Sequence, residues 1–128
     1  DRSEGVYFWD KAGKKYIDWC AGAVSLNLGH TMPPAIKKAM TDQMDRCAFV
    51  YGDNHSTDAR IRLSNLMAEM SPGDLNGFYF SSSGAEANEC AIRMAKRYTG
   101  RNKVMSRYRS YHGGTPSALA ATGDARTW

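Results

Sequence analysis

Two short stretches of this chain carry side chains whose types and spacing suit chemistry. In FYFSSSGAEANECAIRMAKR, residues 78–97, the hydroxyls of Ser81, Ser82 and Ser83 run into Gly84, Ala85 and Glu86. A small-residue turn that opens a helix leaves its first backbone amides without intrahelical partners, and the helix dipole adds positive potential at the same place. These residues therefore suit an anion. Gly84 lacks the Cβ that would hold a phosphate at a distance, and the serines add donors. An ordinary capped strand-to-helix turn that binds nothing uses the same residue types. In SRYRSYHGGT, residues 106–115, Tyr111 and His112 bring an aromatic face and an imidazole ahead of two glycines. A flat, phosphorylated aromatic ligand would use both stretches, its phosphate on the amides and its ring on Tyr111.

The elements that must position these residues follow from periodicity. Ser83 is a good N-cap, and Glu86 three residues on completes an S-x-x-E capping box, which explains Glu86 better than a catalytic acid does. Ala87, Cys90, Ala91, Met94, Ala95 and Tyr98 then recur at helical spacing until Gly100, Arg101 and Asn102 turn the chain. Phe78–Phe80 before the helix and Lys103–Ser106 after it read as strands. A strand, helix and strand within about thirty residues form a βαβ unit, so a parallel sheet is expected, with Tyr111 and His112 at the strand end where such sheets bind ligands.

Upstream, Val6–Trp9 and Lys15–Trp19 read as a hairpin turning through Asp10–Lys14, with Tyr7, Trp9, Tyr16 and Trp19 available to pair across it. AGAVSLNLGH, residues 21–30, is broken by small residues and reads as a loop or bent segment. Pro33 and Pro34 open a helix with apolar Ala35, Ile36, Ala39, Met40 and Met44. Arg46–Ser56, which holds Phe49, Tyr51, Asn54 and His55, has no period and is expected to pack against something. A further helix runs from about Thr57 to Met70, with Leu63, Leu66, Met67 and Met70 on one face. His30 and His55 read as loop-structure or interface residues rather than proton carriers.

Composition bounds the function. The chain has 128 residues, is 42% hydrophobic and 23% charged, and carries a net charge of +4. That is globular rather than disordered or membrane-like. Its lysines and arginines are spread out, apart from a basic run between Arg93 and Arg109 that a solvated helix face explains, so no nucleic-acid partner is expected. The 3 cysteines, Cys20, Cys47 and Cys90, lack C-x-x-C spacing. No disulfide framework or metal site is suggested, and they read as buried thiols in a reducing compartment. No apolar run is long enough to cross a bilayer, and Asp1–Asp10 has no signal-peptide layout, so a cytoplasmic location without a membrane partner is expected. The chain reads as a piece of something larger.

With these motifs in order, the sequence resembles the class III aminotransferases of the fold-type-I pyridoxal 5'-phosphate (PLP) superfamily. GVYFWDKAGKKYIDW is similar to the family's opening hairpin, and AGAVSLNLGHTMPPAIKKAM to its active-site loop, glycine-histidine turn and following helix. SSSGAEANECAIRMAKRYTG resembles its phosphate-cup motif and helix, and SRYRSYHGGT its cofactor-stacking segment. Neither G-K-[ST] nor G-x-G-x-x-G is present to suggest a nucleotide instead. The resemblance implies an α/β fold: an N-terminal β-hairpin, loop and helix segment over residues 1–56, then the first part of the PLP-binding large domain, a mostly parallel sheet with helices, over residues 57–128. It implies that the Ser83 hydroxyl and the Gly84 and Ala85 amides hold the PLP phosphate, that Tyr111 lies over the pyridine ring and that His112 helps shape the pocket. A packed or turn-stabilising role for His112 stands beside that one. Val24 falls where related enzymes place a side chain at the substrate entrance, and the segment around Tyr51 resembles one that reaches a dimer interface.

The family's Schiff-base lysine and the acid that faces its pyridine nitrogen are expected beyond Trp128. Lys96 and Lys103 read as surface residues, so no catalytic residue is assigned within the chain. The implied activity is amino transfer from an amine or ω-amino acid to a keto acid such as pyruvate, in a homodimeric parent. Another fold-type-I reaction, such as an aminomutase or decarboxylase, an inert fragment and a generic phosphate-binding module are the alternatives.

Overall fold

The computed structural model describes residues 2–52 and 55–123, so Asn54 and Trp128 lie outside the described residues. Two compact units divide the chain, Asp1–Asp58 and Ala59–Trp128.

The first unit is built on an antiparallel meander of β1 (Arg2–Glu4), β2 (Tyr7–Trp9) and β3 (Lys15–Ile17). The β2–β3 hairpin turns where expected because Asp10 organises its own loop. One carboxylate oxygen accepts from the amides of Ala12 and Lys14 at 2.9 and 3.0 Å, the other accepts from the Tyr16 hydroxyl at 2.9 Å, and Gly13 takes φ +80°. The register pairs Phe8 with Tyr16, whose rings stack 5.1 Å apart. The expected aromatic pairing therefore differs in detail. Tyr7 and Trp9 share the opposite face, where the Lys15 ammonium sits 3.7 Å over Tyr7 and the Arg2 guanidinium 4.0 Å over Trp9. Trp19 lies past the strand end and is exposed. Its distance from the ladder is why it pairs with nothing across the hairpin. β1 has no strong pattern of its own and owes its strand conformation to β2.

Residues Ala21–Val24 form a four-residue helical turn, α1, followed by α2 (Pro34–Arg46), which begins with its expected proline. The second unit contains all but the first residue of α3 (Asp58–Met70), with α4 (Gly84–Thr99) and α5 (Pro116–Ala121). Among the described residues its buried ones, Cys90, Gly113, Ala118, Ala121 and Thr122, lie on α4, on α5 or in the segments flanking α5. Of the cysteines, only Cys90 is buried; Cys47 is half-buried and Cys20, at the start of α1, is exposed.

Phe78–Phe80 and Lys103–Ser106 are not in strands, and the described sheet is the meander alone. A strand of a parallel sheet is defined by its neighbours, and no described residue pairs with either segment. The helices keep the apolar faces read from the sequence, but these faces are open. Met40 and Met44 on α2, Leu66 and Met70 on α3, and Met94 and Tyr98 on α4 are all more than half exposed. In the segment expected to pack against something, Phe49 is 80% and Tyr51 60% exposed. The accessible surface is 11170 Å², whereas two separately folded units of half this length would expose about 8,200 Å² by the usual scaling with mass.

Candidate functional site

The N-terminus of α4 is built as the sequence suggests, with one change. Ser83 is the N-cap in extended conformation, and its Oγ accepts from the Glu86 amide at 3.2 Å. The Glu86 carboxylate closes the box on the Ser82 amide, at 2.9 Å, rather than on Ser83 itself. Ser81 Oγ donates to the Ser83 carbonyl at 3.0 Å, and the Ala87 amide bonds the same carbonyl. Among the described residues, the amides of Gly84 and Ala85 are left without partners. Ser83 uses an oxygen lone pair in capping, so its O–H is still free to donate. A Cβ built on Gly84 meets no protein atom within 4 Å. Two amides, a hydroxyl and open space at the positive end of a sixteen-residue helix make a donor set for a tetrahedral oxyanion.

The Tyr111–His112 segment is docked on the first two turns of the same helix. Gly113 is buried at φ +136°, and a Cβ there would lie 2.6 Å from Ala85 Cβ and 2.9 Å from Ala85 Cα. Only a glycine allows this approach. One turn along α4, Asn88 Nδ2 donates to the His112 carbonyl at 2.6 Å, and the His112 amide donates to Thr122 Oγ1 at 3.0 Å. The main chain of His112 is thus held from both sides. Tyr111 is 55% exposed.

Glu89 completes the clamp. Its Oε1 accepts from the amides of Ser117 and Ala118, at 2.6 and 3.1 Å, and so caps α5, whose own N-cap Thr115 makes no side-chain cap bond. The Ser117 hydroxyl first, then that of Thr115, together with these amides, holds the Glu89 carboxyl down to about 2 despite partial desolvation. The Thr115 hydroxyl is buried and acts through proximity, since it makes no hydrogen bond of good geometry.

Val24 belongs to the first unit, at the end of a turn whose hand is unusual. Ala21, Gly22, Ala23 and Val24 all have positive φ, from 46° to 68°, so α1 is left-handed. Val24 is 90% exposed. The Asp18 carboxylate accepts from the Cys20 amide at 2.9 Å and the Gly22 amide at 2.7 Å, and meets His30 Nε2 at 2.8 Å. Partial desolvation raises the Asp18 pKa, but the two amides and the imidazole outweigh it, leaving the carboxyl below its ordinary range. His30 is therefore a structural member of this loop's support. The His55 amide bonds the Tyr51 carbonyl at 3.2 Å.

The chain that carries this arrangement has known relatives. The family model for class-III aminotransferases matches residues 1–127. The chain belongs to the class-III aminotransferase family. An acetylornithine aminotransferase of Methanopyrus kandleri is 38% identical over 122 residues, covering 93% of this chain and 30% of the relative. Among solved structures, an (S)-enantioselective ω-transaminase from Thermomicrobium roseum superposes with a TM-score of 0.89 at 41% identity, over 97% of this chain and 29% of that one. A taurine:2-oxoglutarate aminotransferase from Bifidobacterium kashiwanohense, solved with PLP and glutamate, gives a TM-score of 0.85 at 38% identity over 98% and 28%. The fold is accordingly that of the matching part of the fold-type-I PLP-dependent transaminases, an α/β fold. The chain spans less than a third of the length of these relatives.

Within this chain of the class-III aminotransferase family, sequence reasoning placed Ser83–Ala85 and Tyr111–His112 at one sheet edge, and the structure brings both segments onto the first turns of α4. It missed Asn88, Glu89, Gly113 and Thr122, which join them. A signal for the first two was present. Asn88 and Glu89 interrupt the small apolar residues Ala87 and Cys90, and two adjacent half-buried polar residues need partners from another element. Lys96 on α4 is half-buried and Lys103 exposed; the Lys96 carbonyl accepts from the Gly100 amide at 3.0 Å, where α4 ends.

Proposed function

We propose that this chain supplies the phosphate cup and ring-stacking segment of a PLP-dependent aminotransferase, which moves an amino group from an amine or ω-amino acid to a keto acid such as pyruvate. The observation that carries the proposal is the pair of unpartnered amides at Gly84 and Ala85 beside the docked Tyr111–His112 segment. A phosphate suits this place because the donors are adjacent at the start of a helix and the space in front of Gly84 is open. PLP supplies the electron sink for chemistry at the amino-bearing carbon. The chain's own residues would bind and orient it. Ser83 O–H and the Gly84 and Ala85 amides would hold the phosphate, Tyr111 would cover a ring face, and His112 would shape the pocket beside it. Val24 would border the substrate entrance.

The relatives support the reaction class: one is an ω-transaminase, one acts on acetylornithine, and one, a taurine:2-oxoglutarate enzyme, holds PLP and glutamate. In this reading residues 1–56 form the hairpin, loop and helix segment, and residues 57–128 begin the large PLP-binding domain. The excess of open apolar surface on α2, α3 and α4 would be covered by further polypeptide of a cytoplasmic homodimer, with the Tyr51 segment near the interface. The experiment is spectroscopic and uses the full-length polypeptide. It should carry a yellow chromophore that borohydride fixes to a lysine outside this chain. An amine donor should bleach the chromophore and pyruvate restore it. A protein that binds no PLP, or one that returns no new amino acid from donor and keto acid, would overturn the proposal.

A further inference from the structure

The turn Ala21–Val24 is held in a conformation its sequence resists. Left-handed helical backbone brings Cβ against the following carbonyl, so it is ordinarily visited by single glycines and not by runs. Here Gly22 is the only glycine of the four. Ala21 (φ 46°), Ala23 (φ 68°) and the β-branched Val24 (φ 66°) adopt it as well. Such a conformation persists only where surrounding contacts over-determine it, and these gather at functional loops.

The contacts lead back to one carboxylate. Asp18 Oδ1 accepts from the Cys20 amide, and Oδ2 accepts from the Gly22 amide and meets His30 Nε2. A carboxylate below its ordinary pKa can only accept, so His30 Nε2 carries the hydrogen. Asp18 is fixed in turn by its own amide on the Val6 carbonyl at 3.0 Å. His30 is fixed by the strands. Its amide donates to the Gly5 carbonyl at 2.7 Å, its carbonyl accepts from Ser3 Oγ at 3.0 Å, and its ring packs 5.5 Å from that of Phe8. Just before it, Gly29 at φ +75° passes so close to Gly5 that a Cβ would lie 2.7 Å from the Gly5 carbonyl oxygen. The meander thus holds His30, His30 and Val6 just before β2 hold Asp18, and Asp18 holds the amides that open the turn.

We propose that Asp18 and His30 are positioning residues that lock Ala21–Val24 in its left-handed turn and thereby fix where Val24 presents its side chain at the substrate entrance. The positional part rests on the aminotransferase reading above; the locking part does not. Asn at position 18 would keep one acceptor oxygen but turn an NH₂ toward groups that also donate. Gln at position 30 would keep a donor at about the reach of Nε2, whereas Leu would not.

The test uses the full-length protein with three measurements: amide hydrogen exchange across residues 19–26, PLP content, and KM and kcat for an amine donor. Asp18→Asn and His30→Leu should speed exchange in this segment about tenfold, as expected for the loss of a charge-assisted hydrogen bond. They should raise donor KM by a similar factor, with kcat and PLP content changed less than about twofold. His30→Gln should stay near the unsubstituted protein. Adding Ala23→Gly to Asp18→Asn should recover most of the KM, because glycine takes positive φ at no steric cost. Unchanged exchange in Asp18→Asn would overturn the proposal. So would a loss that Ala23→Gly does not recover, because a merely structural role for Asp18 would be indifferent to backbone strain at residue 23. If the unsubstituted protein lacks PLP or transaminase activity, the function fails, and the exchange data alone still decide whether the turn is locked by this pair.

Discussion

Replacing Gly113 by alanine should be far more damaging than the same change one residue later. The added Cβ would sit 2.6 Å from Ala85 Cβ, 2.9 Å from Ala85 Cα and 3.1 Å from Ala118 Cβ. Carbon atoms prefer separations of about 3.5–4.0 Å, so the segment must retreat from α4 by roughly an ångström. Neither neighbour can yield cheaply, since the closest atoms are a backbone carbon and short side chains on two helices. The overpacking should cost about 1–3 kcal/mol, and a φ of +136° forced on a residue with a Cβ about 1–3 kcal/mol more. The total, about 2–6 kcal/mol, is a large fraction of the stability of an ordinary domain. At Gly114 an added Cβ meets nothing within 4 Å, and the change should stay within about 0.5 kcal/mol. Urea unfolding of the full-length protein with each substitution reads the difference directly. PLP affinity should fall with Gly113→Ala as well, because the retreat separates Tyr111 and His112 from the helix start. Equal stabilities for the two variants, or a Gly113→Ala protein with native stability and affinity, would refute the docking of this segment on Ala85.

Ser83→Ala removes the acceptor for the Glu86 amide and should lower stability by about 1 kcal/mol in the same unfolding assay, as for other N-caps. Glu89 makes the packing of α5 on α4 sensitive to acid. Its carboxyl is depressed from 4.5 to about 2, so its contribution is fully present above pH 4.5 and is lost as pH falls toward 2. An acid titration followed by hydrogen exchange in residues 115–122 should show that loss, and Glu89→Gln should flatten it; an unaltered profile in the variant would assign the acid sensitivity elsewhere.

The parts of this structure legible in the sequence are those encoded locally. Ser83 and Glu86 mark the start of α4 because a cap needs residues only three apart, and Gly100 marks its end by taking the left-handed conformation. Pro34 opens α2, and the Asp10–Lys14 turn announces the hairpin. What was not legible depends on groups distant in the chain. Asp18 gives no hint of binding both His30 and the Gly22 amide, and Glu89 none of capping a helix that begins twenty-seven residues later at Pro116. The left-handed run at Ala21–Val24 contradicts local preference and exists only through such contacts. Helical periodicity identified the apolar faces of α2, α3 and α4 correctly but not what covers them. The expected strands at 78–80 and 103–106 failed for a related reason: the apolar pattern gives a segment its capacity to pair, but pairing requires a neighbour.

The most direct test of the phosphate cup is to compare the affinities of PLP and pyridoxal, which lacks the phosphate, for the full-length protein and for its Gly84→Ala variant. A Cβ at Gly84 touches no protein atom, so the substitution should leave the unfolding midpoint unchanged or slightly raised. If Gly84, Ala85 and Ser83 hold the phosphate, PLP should bind the unsubstituted protein at least about a hundredfold more tightly than pyridoxal, and Gly84→Ala should cut that ratio tenfold or more. A ratio near one in the unsubstituted protein, or one that Gly84→Ala leaves intact, would contradict the assignment.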